Sequence, residues 1–368
     1  MAGVDVLPVE IILQILSRLP VKSLLRFTCV SKQWRFVIKS DLEFAKSQFK
    51  LASEHKTLNR RLLCTGVSPE QFVSLDLKMP ASSFGDKSLY RKVNFPFLQQ
   101  GGKVKQLGSC NGLVFLVLED ESRIKFYVCN PSTGFFKQLP SPVSDEEDVV
   151  TYRIGVGYVS ATDDYKVLVG YLEKDPGEDP GVVEAIQIFS LRAHCWKRIE
   201  EPGGTGGVYV SPSMALCNET LHWLSFERDQ LFAFDLAKEE LRTMPLPNFS
   251  QDGMNFGDIG VSHEGCLCVL RHCLRPCDSI DFWVMREYGV RDTWTKQFRL
   301  FNLMLSDPLD KPWKLIRFLV TENSTFGWTD YTLARIDHKE EEKHGLYVVR
   351  GYPICITDYE ESLVWINE

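Results

Sequence analysis

Residues 111–140 read NGLVFLVLEDESRIKFYVCNPSTGFFKQLP. Asn111-Gly112 is a turn signal, and 114–118 and 125–129 are apolar, strand-forming runs. Asn130-Pro131 with Thr133-Gly134 then turns the chain again, before Leu139-Pro140 closes the unit. Residues 218–247, NETLHWLSFERDQLFAFDLAKEELRTMPLP, repeat that order down to Asp235 at the end of the aromatic strand and Met244-Pro245 at the close. A weaker copy runs from His263-Glu264-Gly265 through 281–285 to Trp294, a divergent one fits 155–199, and a last one starts near 346–349. Further runs at 165–169, 186–191, 221–225, 231–236, 266–270 and 282–288 alternate in polarity between turn residues. No long amphipathic helical pattern lies between them, which argues against a βαβ parallel sheet. A unit of about 45 residues with three or four strands is the size of a propeller blade. The expectation is an all-β domain over 61–368, a β-propeller of six or seven irregular blades.

The first 50 residues follow a different period. Leu7, Ile11, Ile15 and Leu19 fall on one helical stripe, widened by Ile12 and Leu16. Pro8 suits a first helical position, and Pro20 ends that helix. A second short helix is expected over 21–27. A third is capped by Ser31 and turns Trp34, Val37 and Ile38 inward. The predicted organisation is an all-α module over 2–48, a linker over 49–60, and the β domain behind it. So small a helical module holds more large apolar groups than it can hide by itself, so part of them should meet a partner.

Residues 7–35, LPVEIILQILSRLPVKSLLRFTCVSKQWR, resemble an F-box in the form found in plant F-box proteins, and the likeness extends over about 5–48. The resemblance implies binding to the Skp-family adaptor and, through it, to a cullin-RING ubiquitin ligase. It places Leu7 and Pro8 in the opening loop that meets the adaptor. Leu16, Leu19, Pro20, Leu24, Val30 and Trp34 match family positions shared between adaptor contact and the internal fold. Residues 108–330 resemble the F-box-associated domain of kelch-like members, including self-incompatibility and immune-receptor-regulating F-box proteins. The pieces that carry this likeness are 108–113, 129–134, Gly155-Val156-Gly157-Tyr158 with 163–167, and the neighbourhoods of Trp196 and Trp223. In that family the domain is taken to recruit the substrate, here an unknown protein. The implied function is the substrate-recognition subunit of an SCF-type (Skp–cullin–F-box) ligase. The alternative is an F-box scaffold that engages the adaptor without target turnover.

Composition narrows the other classes. Of 368 residues, 44% are hydrophobic and 25% charged, which excludes wholesale disorder. Residues 1–50 hold eight Lys/Arg against four Asp/Glu, so the net −7 of the chain leaves about −11 on the rest. An acidic main domain is a poor match to nucleic acid. No run of 18 uncharged apolar residues exists to span a membrane. No basic stretch precedes the first apolar residues, so no signal peptide is expected. Eleven cysteines in no framework spacing point to a reducing compartment, cytoplasm or nucleus.

Candidate chemistry is thin. Cys266, Cys268, Cys273 and Cys277 with His263 and His272 form the best metal candidate, but C-x-C-x4-C-x3-C is not a paired zinc spacing, and buried or loop thiols are the simpler reading. Asp163-Asp164 reads as a turn before Tyr165 rather than an acid–base pair. His222 beside Trp223 reads as structural. G-x-S-x-G is absent, and the glycines of 203–207 lack the lysine of a phosphate loop. A propeller enzyme would need convergent carboxylates that the sequence does not offer. No cofactor, no metal and no catalytic residue are expected.

Overall fold

The computed structural model describes residues 8–65, 72–100, 102–120, 123–142, 150–174, 182–199, 214–225, 230–247, 255–273, 279–301, 317–328, 332–337, 346–350 and 355–366. Leu7, Cys277, the glycines of 203–207 and the acidic stretches near 146–148, 175–180 and 339–343 lie outside the described residues. The chain divides into two compact units, Met1–Lys78 with Leu89–Leu139 and Ile356–Glu368, and Met79–Ser88 with Pro140–Cys355.

The first unit opens with four helices, α1 (Val9–Leu16), α2 (Val21–Phe27), α3 (Lys32–Ser40) and α4 (Leu42–Glu54). Pro8 and Pro20 stand at the N-caps of α1 and α2, where the missing N–H costs nothing and the carbonyl opens the helix. Ser31 caps α3 by accepting from Trp34 N at 3.1 Å. Asp41 caps α4 through Phe44 N at 3.0 Å. α4 runs through Glu54, so helix occupies the first part of the stretch expected as linker, and only 55–59 separate it from the first strand. The helix stops on Lys56, whose φ is +54°. Lys56 N donates to Ser53 O at 3.0 Å and Thr57 N to Ala52 O at 2.8 Å, the bond pair of a Schellman stop.

Two sheets complete this unit. One orders β24 (Ile356–Glu360), β1 (Arg60–Thr65), β2 (Phe72–Asp76) and β3 (Arg91–Val93), so the last strand of the chain pairs with the first. The other is the meander β4 (Lys103–Cys110), β5 (Leu113–Asp120), β6 (Arg123–Cys129) and β7 (Phe136–Leu139).

Among the described residues the second unit holds four meanders of four strands. They are β8 (Val150–Val159), β9 (Asp164–Lys174), β10 (Val182–Ser190) and β11 (Cys195–Ile199); β12 (Ala215–Cys217), β13 (Thr220–Ser225), β14 (Gln230–Asp235) and β15 (Glu240–Met244); β16 (Asn255–Val261), β17 (Leu267–Cys273), β18 (Ser279–Met285) and β19 (Trp294–Phe301); and β20 (Arg317–Val320), β21 (Ser324–Trp328), β22 (Thr332–Asp337) and β23 (Leu346–Arg350). Every described ladder is antiparallel. Six blade-sized sheets therefore stand where six or seven were expected.

The repeated motifs sit at equivalent places in these sheets. Asn111-Gly112, Asn218-Glu219 and His263-Glu264-Gly265 each turn the first strand into the second. Asp163 takes φ +49° in the matching turn between β8 and β9, and Asp164, the first residue of β9, accepts from Ser190 Oγ at 2.6 Å and Arg192 N at 2.9 Å, so this pair ends a turn and opens a strand. Burial in these strands follows position in the sheet rather than the expected alternation of polarity. β13 is buried at every position, whereas the edge strands β11 and β15 are mostly exposed. A central strand covered on both faces reads as a continuous apolar run, which is what 113–118 shows.

In the second unit β8 packs against β12 and β13. Gly155 and Gly157 make that approach possible: a Cβ at Gly155 would lie 2.4 Å from Met214 Sδ, and one at Gly157 2.2 Å from Leu236 Cδ1. Trp294 Nε1 donates to Pro245 O at 3.0 Å, joining the edge of one sheet to the chain that leaves its neighbour, and Trp196 Nε1 donates in the same way to Pro140 O at 2.9 Å.

Candidate interaction surface of the helical head

Leu16, Val21, Leu24, Ile38, Phe44 and Ala45 close a core among the four helices, with Ile12, Leu13, Leu19, Leu25, Phe27, Trp34 and Val37 packed against it. The same core contains Leu363, and Trp365 packs on it. Part of the apolar excess expected to need a partner is thus covered by the C-terminal end of the chain itself.

The sequence-predicted site residues separate by burial. Leu16 and Leu24 are 1% and 0% exposed and have no surface to offer. Leu19 and Trp34 are half-buried, with the Trp34 ring edge-on to Phe27 at 5.6 Å. Pro8, Pro20 and Val30 are exposed, Val30 at 61%. Arg35 Nε donates to Thr28 O at 3.1 Å, which ties α3 to the turn that carries Val30.

The inward stripe of α1 is Ile12, Leu13 and Leu16, with Leu19 beyond it. Ile11 and Ile15, expected on that stripe, are 40% and 47% exposed, one turn apart on the outer face. Val9 is exposed too, and on α3 Phe36 is 64% exposed. Sequence reasoning passed over Phe36, because a phenylalanine two positions past an inward tryptophan carries no signal of its own. Within 8–40 the exposed charges are Arg18, Lys22, Arg26, Lys32, Arg35 and Lys39, against one carboxylate, Glu10. The outer surface of the head is therefore apolar with a cationic rim.

The β sheets contain no comparable chemistry among the described residues. No group of three His, Cys, Asp or Glu that could hold a metal ion is found there. Cys268 is buried in an apolar cluster with Leu270, Phe282 and Phe318, and Cys266 packs against it. Burial pushes the Cys268 thiol up to about 12 and the Cys217 thiol up to about 11, so both stay protonated at neutral pH. Trp223 is fully buried, and the Arg153 guanidinium lies 4.7 Å over its ring. No described helix is long and apolar enough to cross a membrane.

Comparison with known proteins agrees with this division. The F-box-like family matches residues 4–49, and the F-box associated beta propeller domain matches residues 67–362. The chain is similar to the F-box protein CPR1 of Arabidopsis thaliana, 31% identical over 317 residues that cover 79% of this chain and 72% of that protein. It is 30% identical over 307 residues to an Arabidopsis thaliana F-box/kelch-repeat protein, covering 79% and 78% of the two chains. Among solved structures it is similar to a chain of the nidogen/laminin complex, with 10% identity, a TM-score of 0.49, and 82% and 99% of the chains covered. An F-box implies association with Skp–cullin complexes as a substrate-recognition module, in a family that is non-catalytic. The helical head and the six sheets make this chain a member of the F-box proteins whose C-terminal domain is a six-bladed associated β-propeller.

Proposed function

We propose that the chain is the substrate-recognition subunit of an SCF-type ubiquitin ligase, active in the cytoplasm or nucleus. The head captures the Skp-family adaptor, and the β domain recruits a protein target for ubiquitination and degradation. The protein performs no chemistry; it raises the effective concentration of a target lysine near a loaded conjugating enzyme. The observation that carries this reading is the outer face of the head, where Ile11, Ile15, Val30 and Phe36 stay exposed although the core beneath them is closed.

The adaptor contact is assigned to Pro8, Ile11, Ile15, Pro20, Val30 and Phe36, with Leu19 and Trp34 at the margin. Leu7 belongs with Pro8 in the opening loop. Leu16 and Leu24 act through the fold of the head. The cationic rim favours an acidic partner surface and sets the rate of encounter more than its strength.

Pull-down of adaptor and cullin from cell extract tests this. Ile15→Glu with Phe36→Glu puts two charges on the outer face, where substitutions change stability by about 0.5 kcal/mol or less. The expected result is loss of adaptor capture of at least about tenfold, the cost of removing buried apolar anchors from an interface, with an unchanged circular-dichroism melt. Undiminished capture by that variant, or adaptor capture by the wild type with no cullin behind it, would overturn the proposal.

A further inference from the structure

Two of the motifs that carry the likeness to the associated-domain family, 108–113 and 129–134, close on the C-terminal residues. Ser109 Oγ donates to Asp358 O at 2.5 Å. Gly112, with φ +76°, lies so close that a Cβ there would stand 2.3 Å from Ser362 Oγ and 2.6 Å from Glu360 O. Asn130 is fully buried, and its Nδ2 is shared among Ser362 O (3.1 Å), Ser362 Oγ (3.1 Å) and Val364 O (2.8 Å). Its Oδ1 accepts from Ser132 N at 2.7 Å, which fixes which end of the amide faces the tail. Ser362 N donates to Ser132 Oγ at 3.3 Å.

The other side of the same tail belongs to the head. Asn130 takes the carbonyls of Ser362 and Val364, and the residue between them, Leu363, is 1% exposed within the core of α1, α2, α3 and α4. Trp365 packs on that core. At the near end Glu361 N donates to Asn59 O at 2.9 Å, and Asn59 Nδ2 to Glu361 Oε2 at 3.3 Å. A head held only through 55–59 would be free to swing about that connector. Here a second attachment, far away in sequence, reaches the same core.

We propose that residues 361–366 are a clasp that couples the helical head to the sheet of β4–β7. The turns 108–113 and 129–134 grip it, and Leu363 is its plug. The family-like motifs of this sheet are then spent on holding the head, not on reading a target. Taken with the proposed function, on which this consequence alone rests, the clasp keeps the adaptor at a fixed place relative to the first unit.

Amide hydrogen exchange on full-length protein decides the matter. Asn130→Ala removes the grip without touching a helix. The expected result is exchange at least about tenfold faster in α1, α2 and α4, the mark of a lost coupling between cooperative units. β13 and β14 keep wild-type protection. Faster exchange confined to 129–134 and 361–366, with the helices unchanged, overturns the clasp. If Asn130→Ala also strips β13 and β14, Leu363→Ala decides instead. Faster exchange of both the helices and 109–112 then supports the coupling, and exchange at 109–112 like wild type rejects it. Adaptor capture by the same wild-type protein is a separate reading, so failure of the ligase assignment leaves the exchange result standing.

Discussion

His222 is fully buried on β13 and still meets two polar partners. Its Nδ1 lies 3.2 Å from Ala215 O, a pure acceptor, so the network assigns the ring proton to Nδ1. Nε2, 2.8 Å from Tyr288 Oη, then accepts from that hydroxyl. Tyr288 Oη in turn accepts from Arg242 Nη2 at 3.2 Å, and the Arg242 guanidinium stands 5.8 Å over the tyrosine ring. Burial pushes His222 down to about 4 from the ordinary value of 6.5; the bond to Ala215 O opposes the shift, and nearby Arg242 adds to it. Between those values the unfolded chain binds a proton that the folded chain refuses. Stability is therefore full above pH 6.5 and falls as the pH drops toward 4. Between pH 7 and pH 5 this one group accounts for about 2 kcal/mol. His222→Gln should melt lower than wild type at pH 7, yet lose less between pH 7 and pH 5. Equal losses in thermal scans of the two proteins would reject the assignment. The sequence reading of His222 as structural holds, but its partner Tyr288 was out of sight, 66 residues away and five strands on.

Strands and helices carry the next set of consequences. Trp294 and Trp196 make the same bond to the carbonyl of a proline, yet Trp294 is buried and Trp196 half-buried. Water replaces a lost partner more readily at the exposed Pro140 than at the half-buried Pro245. Trp294→Phe should cost about 1–2 kcal/mol, because the acceptor left unmet is half-buried beneath a buried ring, and Trp196→Phe about 1 kcal/mol or less. Urea midpoints of the two variants check the order; a larger loss at Trp196 would contradict it. Both tryptophans and both prolines were legible as recurring marks, because each blade reuses one turn chemistry. What joins them was not, since a hydrogen bond between neighbouring sheets has no period. The fourth helix, α4, was not among the three expected, and its reach past the module was missed for a local reason. Its start is signalled by Asp41, but its stop is Lys56 in a left-handed conformation, and no glycine or proline marks the place. At the head, the density of the motif made the module readable over thirty residues. Which helical stripe faces out was not, because a period of 3.6 gives the stripe and says nothing of what lies over it. Leu363, more than three hundred positions beyond the head, covers part of it.

At the scale of the whole chain, the shared core changes how a target should be sought. Residues 60–368 alone would leave Leu363 and Trp365 without the helices they pack against, and a bare apolar tail collects proteins unspecifically. The better bait is the full chain with its core intact and its outer face spoiled, by Ile15→Glu and Phe36→Glu together. Under the proposed function this protein holds its target and brings no adaptor, so it shields what the wild type delivers. Expressed beside the wild type in the same cells, it should raise the steady-state level of the proteins it retains. A translation block should then show them decaying more slowly. Wild-type protein should retain the same proteins only when degradation is inhibited. If the partners of the variant decay at the same rate with and without it, and adaptor is absent from both baits, recruitment for turnover is wrong. If adaptor is present on the wild type and turnover is unchanged, the head works as a docking module and the sheets serve some other end.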